Sequence, residues 1–521
     1  MTDRIDRVAL GDVAARGARR SPDKIALVDD GVRLTYRQLD DESNRFAHYL
    51  LASGLERGDR VATMCANSYR YVIAMFGIWK AGLVWVPLNV MLLPDDIGYI
   101  VDHAEARLAI VDAPFLAAAP IRAVFDRVPS VIATPLGGVP SGAALEFDAV
   151  LAGQPSDELD VTIGDRDLAL IMYTSGTTGR PKGVMHHHLA VTAAALANAA
   201  DMAWSEDDVS PQLLPLFHCA QHSMLMTVLT ANGTAVLLRG FDPAKMLEAM
   251  QRERATFVFM LPAMWAAVLD HPARASTDLS SLRMGLYAMA PMAEPLLRRL
   301  IAEVCPKFAL ASGQTEIYPA TVVFRPREQL RRFGPYWGTS TPIVETAVMD
   351  DEGRLLPRGE TGEIVHRGPN VMMGYFKDPE ATAEARRFGW HHTGDLGMFD
   401  ADGQLVFMDR KKDFIKSGGE NVVSVKVEAV LLAHPAVATA AVVGLTHPHW
   451  GEAVTAFVTC KPGVSVTEDE LIALARERLA GFEAPKVVRV IDAMPMTATG
   501  KAQKHVLRAQ YRDLYAPVGA T

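Results

Sequence analysis

Six consecutive apolar or aromatic residues, Leu168 to Tyr173, run without a break into Thr-Ser-Gly-Thr-Thr-Gly-Arg-Pro-Lys-Gly at 174–183. A run so short, apolar throughout and closed by glycines, reads as a strand buried on both faces. Such a strand needs helices over both sides of its sheet, so it points to a helix-covered α/β architecture. The loop after it is built for a ligand. Its glycines permit positive φ and close backbone approach, and successive N–H groups can form an anion nest. The hydroxyls of Thr174, Ser175, Thr177 and Thr178 add donors, and Lys182 adds a point charge. The Gly-Lys-Ser/Thr ending of a P-loop is missing. Ligands of α/β sheets sit at this end of a strand.

The rest of the first part fits the same architecture. Helical spacing covers Tyr36 to Ala52 and Ser68 to Ala81, and short apolar strands are expected at Arg60 to Cys65, Leu83 to Pro87 and Leu108 to Val111. Ala133 to Asp160 loosens into a Gly/Pro-bearing connection, and a helix is expected over His186 to Ala200. From Glu345 the pattern changes to short strands, Glu345 to Met349, Gly362 to Arg367 and Gln404 to Asp409, punctuated by Asp351-Glu352-Gly353 and Asp402-Gly403. The last stretch alternates again: a helix from Val425, strands Ala438 to Val443 and Ala453 to Thr459, a helix Thr467 to Ala480, and a strand Val487 to Ile491. The expected organisation is a large domain over 1–409, a hinge at 410–412 and a small domain over 413–521.

The chain has 521 residues, with 52 Lys plus Arg against 61 Asp plus Glu, a net charge of −9. A mildly acidic protein has no bulk attraction for nucleic acid, so an anionic ligand must be met by local donors. The four cysteines, Cys65, Cys219, Cys305 and Cys460, lie far apart and show no metal or redox spacing. Reduced thiols, no apolar leader at the N-terminus and no uninterrupted apolar span give the expectation of a cytoplasmic protein with no integral membrane segment. The tract His186-His187-His188 does not suggest a metal site, because adjacent helical residues do not face one another. His391-His392 is read the same way.

TSGTTGRPKG resembles the phosphate loop of the adenylate-forming superfamily, which comprises acyl-CoA synthetases, luciferases and peptide-synthetase adenylation domains. Further signatures follow in the family's order: LPLFH ending at His218, SGQTE ending at Glu316, HTGD ending at Asp395, RKKDFIKSGGENV starting at Arg410, and PMTATGK ending at Lys501. The whole is most similar to fatty-acid and related carboxylate–CoA ligases. The resemblance implies a large domain of helix-covered sheets with a small β-barrel-like subdomain, and a small mobile α+β C-terminal domain. It implies ATP, Mg²⁺ and coenzyme A as cofactors and a small carboxylic acid as substrate.

Residue by residue, the resemblance assigns the nucleotide to Thr174, Ser175, Gly176, Thr177, Thr178, Gly179 and Lys182, to Ser312, Gly313, Gln314 and Thr315, and to Asp395, Arg410 and Lys501. Asp395 would accept from the ribose hydroxyls with Arg410 nearby. Thr174 and Glu316 would hold Mg²⁺, an ion that keeps oxygen ligands and several waters. Lys501 would bridge the carboxylate and the α-phosphate. His218 would line and gate the acyl site with Ala288, Met289, Ala290 and Pro291. Lys412 would be the hinge, after which Gly418, Gly419 and Phe482 meet coenzyme A. The chain departs from the family's pattern in three places. Ser312 stands where an aromatic residue often stacks on adenine. Met289 adds bulk to a wall that usually reads Gly-Gly-Ala-Pro. Glu483 and Ala484 replace basic neighbours of Phe482. An amide synthetase with an amine acceptor and an aryl-acid–CoA ligase are the alternatives, and a homodimer is compatible with the chain.

Overall fold

The computed structural model describes residues 7–136, 145–174, 180–288, 292–496 and 502–515. The chain divides into two compact units. The first runs to Thr346, apart from part of the phosphate loop, and includes Val365–His392; the second includes Ala347–Ile364 and Thr393–Thr521.

The first unit is the helix-covered α/β body anticipated from its buried strands. Its seven-stranded sheet has the order Gly374–Tyr375, Lys182–His187, Leu168–Thr174, Val84–Pro87, Arg60–Met64, Ala106–Asp112, Val131–Thr134. From Leu168–Thr174 to Val131–Thr134 the neighbours are parallel. These strands are apolar on both faces because both are covered. One face carries Trp79, Trp85, Tyr71 and Phe76, and the other Ile97, Ile100, Val111 and Phe125. The helix Tyr36–Ala52 begins with a capping box between Thr35 and Gln38 and buries Leu39, Phe46, Ala47 and Leu50, one helical stripe. Ser68 caps Tyr69–Lys80 by accepting from the Tyr71 N–H at 3.2 Å.

A four-stranded sheet orders Val32–Thr35, Ile25–Asp29, Thr234–Leu237 and Val209–Gln212. Phe257–Phe259, Met284–Tyr287 and Phe308–Gln314 run parallel beside one another. Ile317–Phe324 and Tyr336–Ser340 continue that sheet antiparallel.

The expected helix over His186–Ala200 is corrected. Residues Lys182–His187 form a strand antiparallel to Leu168–Thr174, and the helix begins at His188. The backbone of His186 is taken up in that ladder, opposite Leu170. The helix is instead capped by the His187 ring, whose Nδ1 accepts the Ala190 N–H at 2.9 Å. The two strands that flank residues 175–181 are therefore paired with each other, with Thr174 opposite Lys182.

The second unit holds the strand Leu405–Arg410 whole and residues 393–399, 362–364 and 347–349 of the strands His391–Phe399, Gly362–Arg367 and Glu345–Met349, which neighbour one another in that order. Its C-terminal sheet orders Glu420–Val422, Ile415–Ser417, Gly451–Cys460 and Val437–His447, with Val487–Val490 parallel to Gly451–Cys460. Among the described residues, the two hydrophobic clusters of this sheet contain no buried residue before Ile415. The expected hinge, 410–412, lies inside the second unit.

Candidate active site

In the first unit this strand pair presents Thr174, half-buried, and Lys182, exposed. Ser175, Gly176, Thr177, Thr178 and Gly179 lie outside the described residues, as do Met289, Ala290, Pro291 and Lys501. Gly183 is required where it stands. A Cβ there would lie 2.8 Å from Ile171 Cγ2 and 3.0 Å from Tyr173 Cζ. Gly183→Val is expected to cost about 1–3 kcal/mol by overpacking and to displace the loop base. Urea unfolding would read it, and an unchanged midpoint would show that the neighbours yield.

Thr315 and Glu316 are the two residues that turn Phe308–Gln314 back into Ile317–Phe324, since Gln314 pairs with Ile317. The ladder bulges between Ser312 and Gln314, and a Cβ on Gly313 would meet Pro319 Cβ at 2.6 Å. Ser312 is half-buried and its carbonyl accepts from Thr321 Oγ1 at 3.0 Å. The turn is gripped from several sides. His186 Nε2 donates to the Thr315 carbonyl at 2.6 Å, and Cys219 Sγ lies 3.5 Å from Thr315 Oγ1. The Met372 N–H donates to the Glu316 carbonyl at 2.8 Å, and the Tyr375 hydroxyl donates to Glu316 Oε1 at 3.1 Å.

His218 precedes the helix Cys219–Thr230, and its Nδ1 accepts the Ala220 N–H at 3.3 Å, so the half-buried ring caps that helix. Ala288 follows the strand Met284–Tyr287 and is buried.

The histidine tract is explained one ring at a time. His186 holds the Thr315 turn, His187 caps its helix, and His188 Nδ1 accepts the Leu10 N–H at 3.1 Å. Burial lowers the pKa of His186 and of His188 to about 4. The rings of His186 and His188 are thus neutral hydrogen-bonding groups, and burial also lowers the pKa of His187.

In the second unit Asp395 lies within the strand His391–Phe399 and pairs with Arg410 across the ladder. Its carboxylate is buried, 3.5 Å from Arg410 Nε. Gly394, at φ +72°, donates its N–H to Glu363 Oε1 at 3.0 Å, and Thr393 Oγ1 accepts the Asp395 N–H at 3.0 Å. Lys411 pairs with Asp351 at 2.6 Å and with Glu363 at 3.3 Å. Lys412 lies in the turn in which the Asp413 N–H returns to the Arg410 carbonyl at 2.8 Å.

Gly418 and Gly419, at φ +61° and +88°, turn the hairpin between Ile415–Ser417 and Glu420–Val422. A pair of positive-φ residues is what a two-residue hairpin demands. Phe482 is exposed, whereas Glu483 is buried and bound to Lys426 by 2.6 and 2.7 Å contacts. The acidic neighbour of Phe482 is therefore neutralised by a partner.

Among the described residues no three His, Cys, Asp or Glu side chains gather into a metal cage. A single carboxylate at Glu316 and a hydroxyl at Thr174 suit an ion that arrives with substrate phosphates, which is how Mg²⁺ is commonly held. Tyr375 and His186 are the residues that sequence reasoning missed. Tyr375 lies 59 residues from Glu316 in the chain, and no local signal marks the pair.

A helix-covered sheet with Thr174 and Lys182 paired at one end of two of its strands, and a separately cored C-terminal sheet, make an α/β protein of two units. The model of the AMP-binding enzyme family matches residues 14–376, and that of the AMP-binding enzyme C-terminal domain matches 426–501. The chain belongs to this family. It is 38% identical over 503 residues to a feruloyl-CoA synthase of an Amycolatopsis species, covering 96% of this chain and 99% of the relative. It is 34% identical over 486 residues to a long-chain-fatty-acid–CoA ligase of Mycobacterium tuberculosis, covering 92% and 93%. The ATP-bound crystal structure of MatB from Rhodopseudomonas palustris is similar at TM-score 0.88 and 31% identity, covering 97% of this chain and 99% of that one.

Proposed function

We propose that the protein is an ATP-dependent carboxylic acid–CoA ligase that forms an acyl-adenylate and pyrophosphate, then transfers the acyl group to coenzyme A with release of AMP. The observation that carries this reading is the strand pair that flanks the loop. Thr174 and Lys182 face each other at its end in a chain that matches the family along nearly its whole length. The relatives named for feruloyl-CoA and for long-chain fatty acids make a fatty or aryl acid the substrate class to test.

The residues divide the work. The loop and Lys182 hold the phosphates and the leaving pyrophosphate. Thr174 and Glu316 hold Mg²⁺, which supplies charge neutralisation at the phosphates. Ser312 to Thr315 border the nucleotide, and Asp395 accepts from the ribose hydroxyls beside Arg410. The acid lies near His218 and 288–291, and its carboxylate attacks the α-phosphorus. Catalysis of this kind rests on positioning and charge stabilisation.

In the second half, residues 413–521 turn about Lys412 and bring Gly418, Gly419 and Phe482 to coenzyme A. The cores of this segment, drawn among the described residues from those after Phe414, support such a turn. Lys412→Pro is expected to spare pyrophosphate release and to slow thioester formation at least tenfold. Equal loss in both half-reactions, measured separately, would remove the hinge.

The activity itself is tested by incubating the protein with ATP, Mg²⁺ and ferulate or a fatty acid, with coenzyme A or an amine, and identifying products by mass. An acyl-CoA with AMP is expected. An amide, or no adenylate with any acid, would overturn the reading.

A further inference from the structure

Tyr375 belongs to none of the groups assigned to substrate, yet it touches two of them. It lies on the two-residue strand Gly374–Tyr375, antiparallel to Lys182–His187, opposite Val184. That placement is fixed by backbone bonds on both sides. The Met373 N–H donates to the Met185 carbonyl and the Phe376 N–H to the Gly183 carbonyl, each at 2.7 Å. The Tyr375 N–H donates to Thr382 Oγ1 at 2.9 Å. Gly374, at φ +141°, has no room for a side chain, since a Cβ would meet Thr382 Cγ2 at 2.8 Å. From this position the ring lies 4.9 Å beneath Lys182 Nζ, and the hydroxyl donates to Glu316 Oε1 at 3.1 Å.

One side chain therefore stands between a cation and a carboxylate that the proposed function assigns to the phosphates and to Mg²⁺. An ammonium over an aromatic face is attracted without giving up its donors. A phenol donating to one carboxylate oxygen leaves the other free and fixes the rotamer of the group.

We propose that Tyr375 is a positioning residue that holds Glu316 and Lys182 apart and aimed, so that the site is arranged before Mg·ATP arrives. The proposal rests on the assignment of Glu316 to the metal and Lys182 to the phosphates. Without the hydroxyl, the Glu316 carboxylate must be ordered when the metal binds. Without the ring as well, Lys182 loses its support and is free to move toward Glu316.

The two contacts separate by substitution. Tyr375→Phe keeps the ring under Lys182 and removes the hydroxyl. Tyr375→Leu removes both. Pyrophosphate release is measured against Mg²⁺ at fixed ATP, against ATP at saturating Mg²⁺, and against the acid. Mg·ATP binding is measured by calorimetry without acid, and thermal midpoints are recorded for each variant.

Tyr375→Phe is expected to raise the half-saturating Mg²⁺ about 3–10-fold, with the KM for the acid and the thermal midpoint unchanged. Tyr375→Leu should add a rise of about 3–5-fold in the KM for ATP. Unchanged Mg²⁺ dependence in Tyr375→Phe would overturn the proposal. So would a loss spread evenly over metal, nucleotide and acid in step with a lowered midpoint. A wild-type protein that binds Mg·ATP but activates no acid would instead remove the ligase reading. In that case the calorimetric comparison of wild type with Tyr375→Phe still decides the role of Tyr375.

Discussion

Lys501→Ala is expected to lower acyl-adenylate formation at least a hundredfold with little change in thermal midpoint. When a carboxylate oxygen attacks the α-phosphorus, two anions meet, and negative charge builds on the phosphoryl oxygens. A cation already in place stabilises that charge, and loss of one such preorganised donor costs roughly 10²–10³ in rate. The fold should tolerate the change, because the chain on either side is anchored without Lys501. Met496 and Ala502 pair with each other. Beyond them the helix Lys504–Gln510 is tied down at three points. Leu507 is buried, Lys504 pairs with Glu428 at 2.7 Å, and Arg508 pairs with Asp413 at 2.7 Å. Pyrophosphate release and the reverse exchange would be measured beside a melting curve. Normal adenylation would remove Lys501 from the mechanism, and a collapsed midpoint would make its role structural. The second half-reaction, started from chemically prepared acyl-adenylate and coenzyme A, should proceed nearly as in the wild type.

The second large effect is loss of stability in mild acid. Among the described residues of the first unit, the buried histidines include His186, His188, His222 and His366. Their rings are bound as neutral groups. His222 Nδ1 meets the Tyr318 hydroxyl, and His366 Nδ1 lies 3.0 Å from Thr346 Oγ1. Burial lowers the pKa from 6.5 to about 4 for His186 and His188, and to about 3 for His222 and His366.

The folded state thus refuses protons that the unfolded chain accepts. The stability these groups contribute is full above pH 6.5 and is lost as the pH falls from there toward the folded values. At about pH 5 each contributes a loss of roughly 2 kcal/mol, or about 8 kcal/mol together. That is comparable with the whole stability of a typical domain. Asp29 and Asp112 act in the opposite direction, because burial raises their pKa and the folded form keeps their protons. His188→Asn separates the histidine contribution, since an amide oxygen can accept the Leu10 N–H and does not titrate. Urea unfolding at pH 7 and pH 5 should show a large drop for the wild type and a drop about 2 kcal/mol smaller for the variant. Equal midpoints at the two pH values in the wild type would refute the argument.

Much of the architecture was legible in the chain because it is written in short-range patterns. The helix Tyr36–Ala52 has the boundaries that its Thr35 entry and apolar stripe imply. The strand Gly362–Arg367 likewise falls where its turn signals place it. The start of the helix after the phosphate loop was not legible. His186 and His187 are drawn into a strand by pairing with Leu168–Thr174, a partner that their own propensity does not specify.

What the sequence determined by itself was the family and the list of groups that could meet a nucleotide. Six short motifs in fixed order need no tertiary knowledge to be read. What only the tertiary structure decided was how those groups are held. Tyr375 reaches Glu316 across 59 residues and His186 reaches Thr315 across 129, through strands that become neighbours only when the sheets form. Side-chain type marks a possible ligand, but the hydrogen bonds that aim it come from partners distant in the chain. No local pattern encodes those distances, because they are products of packing.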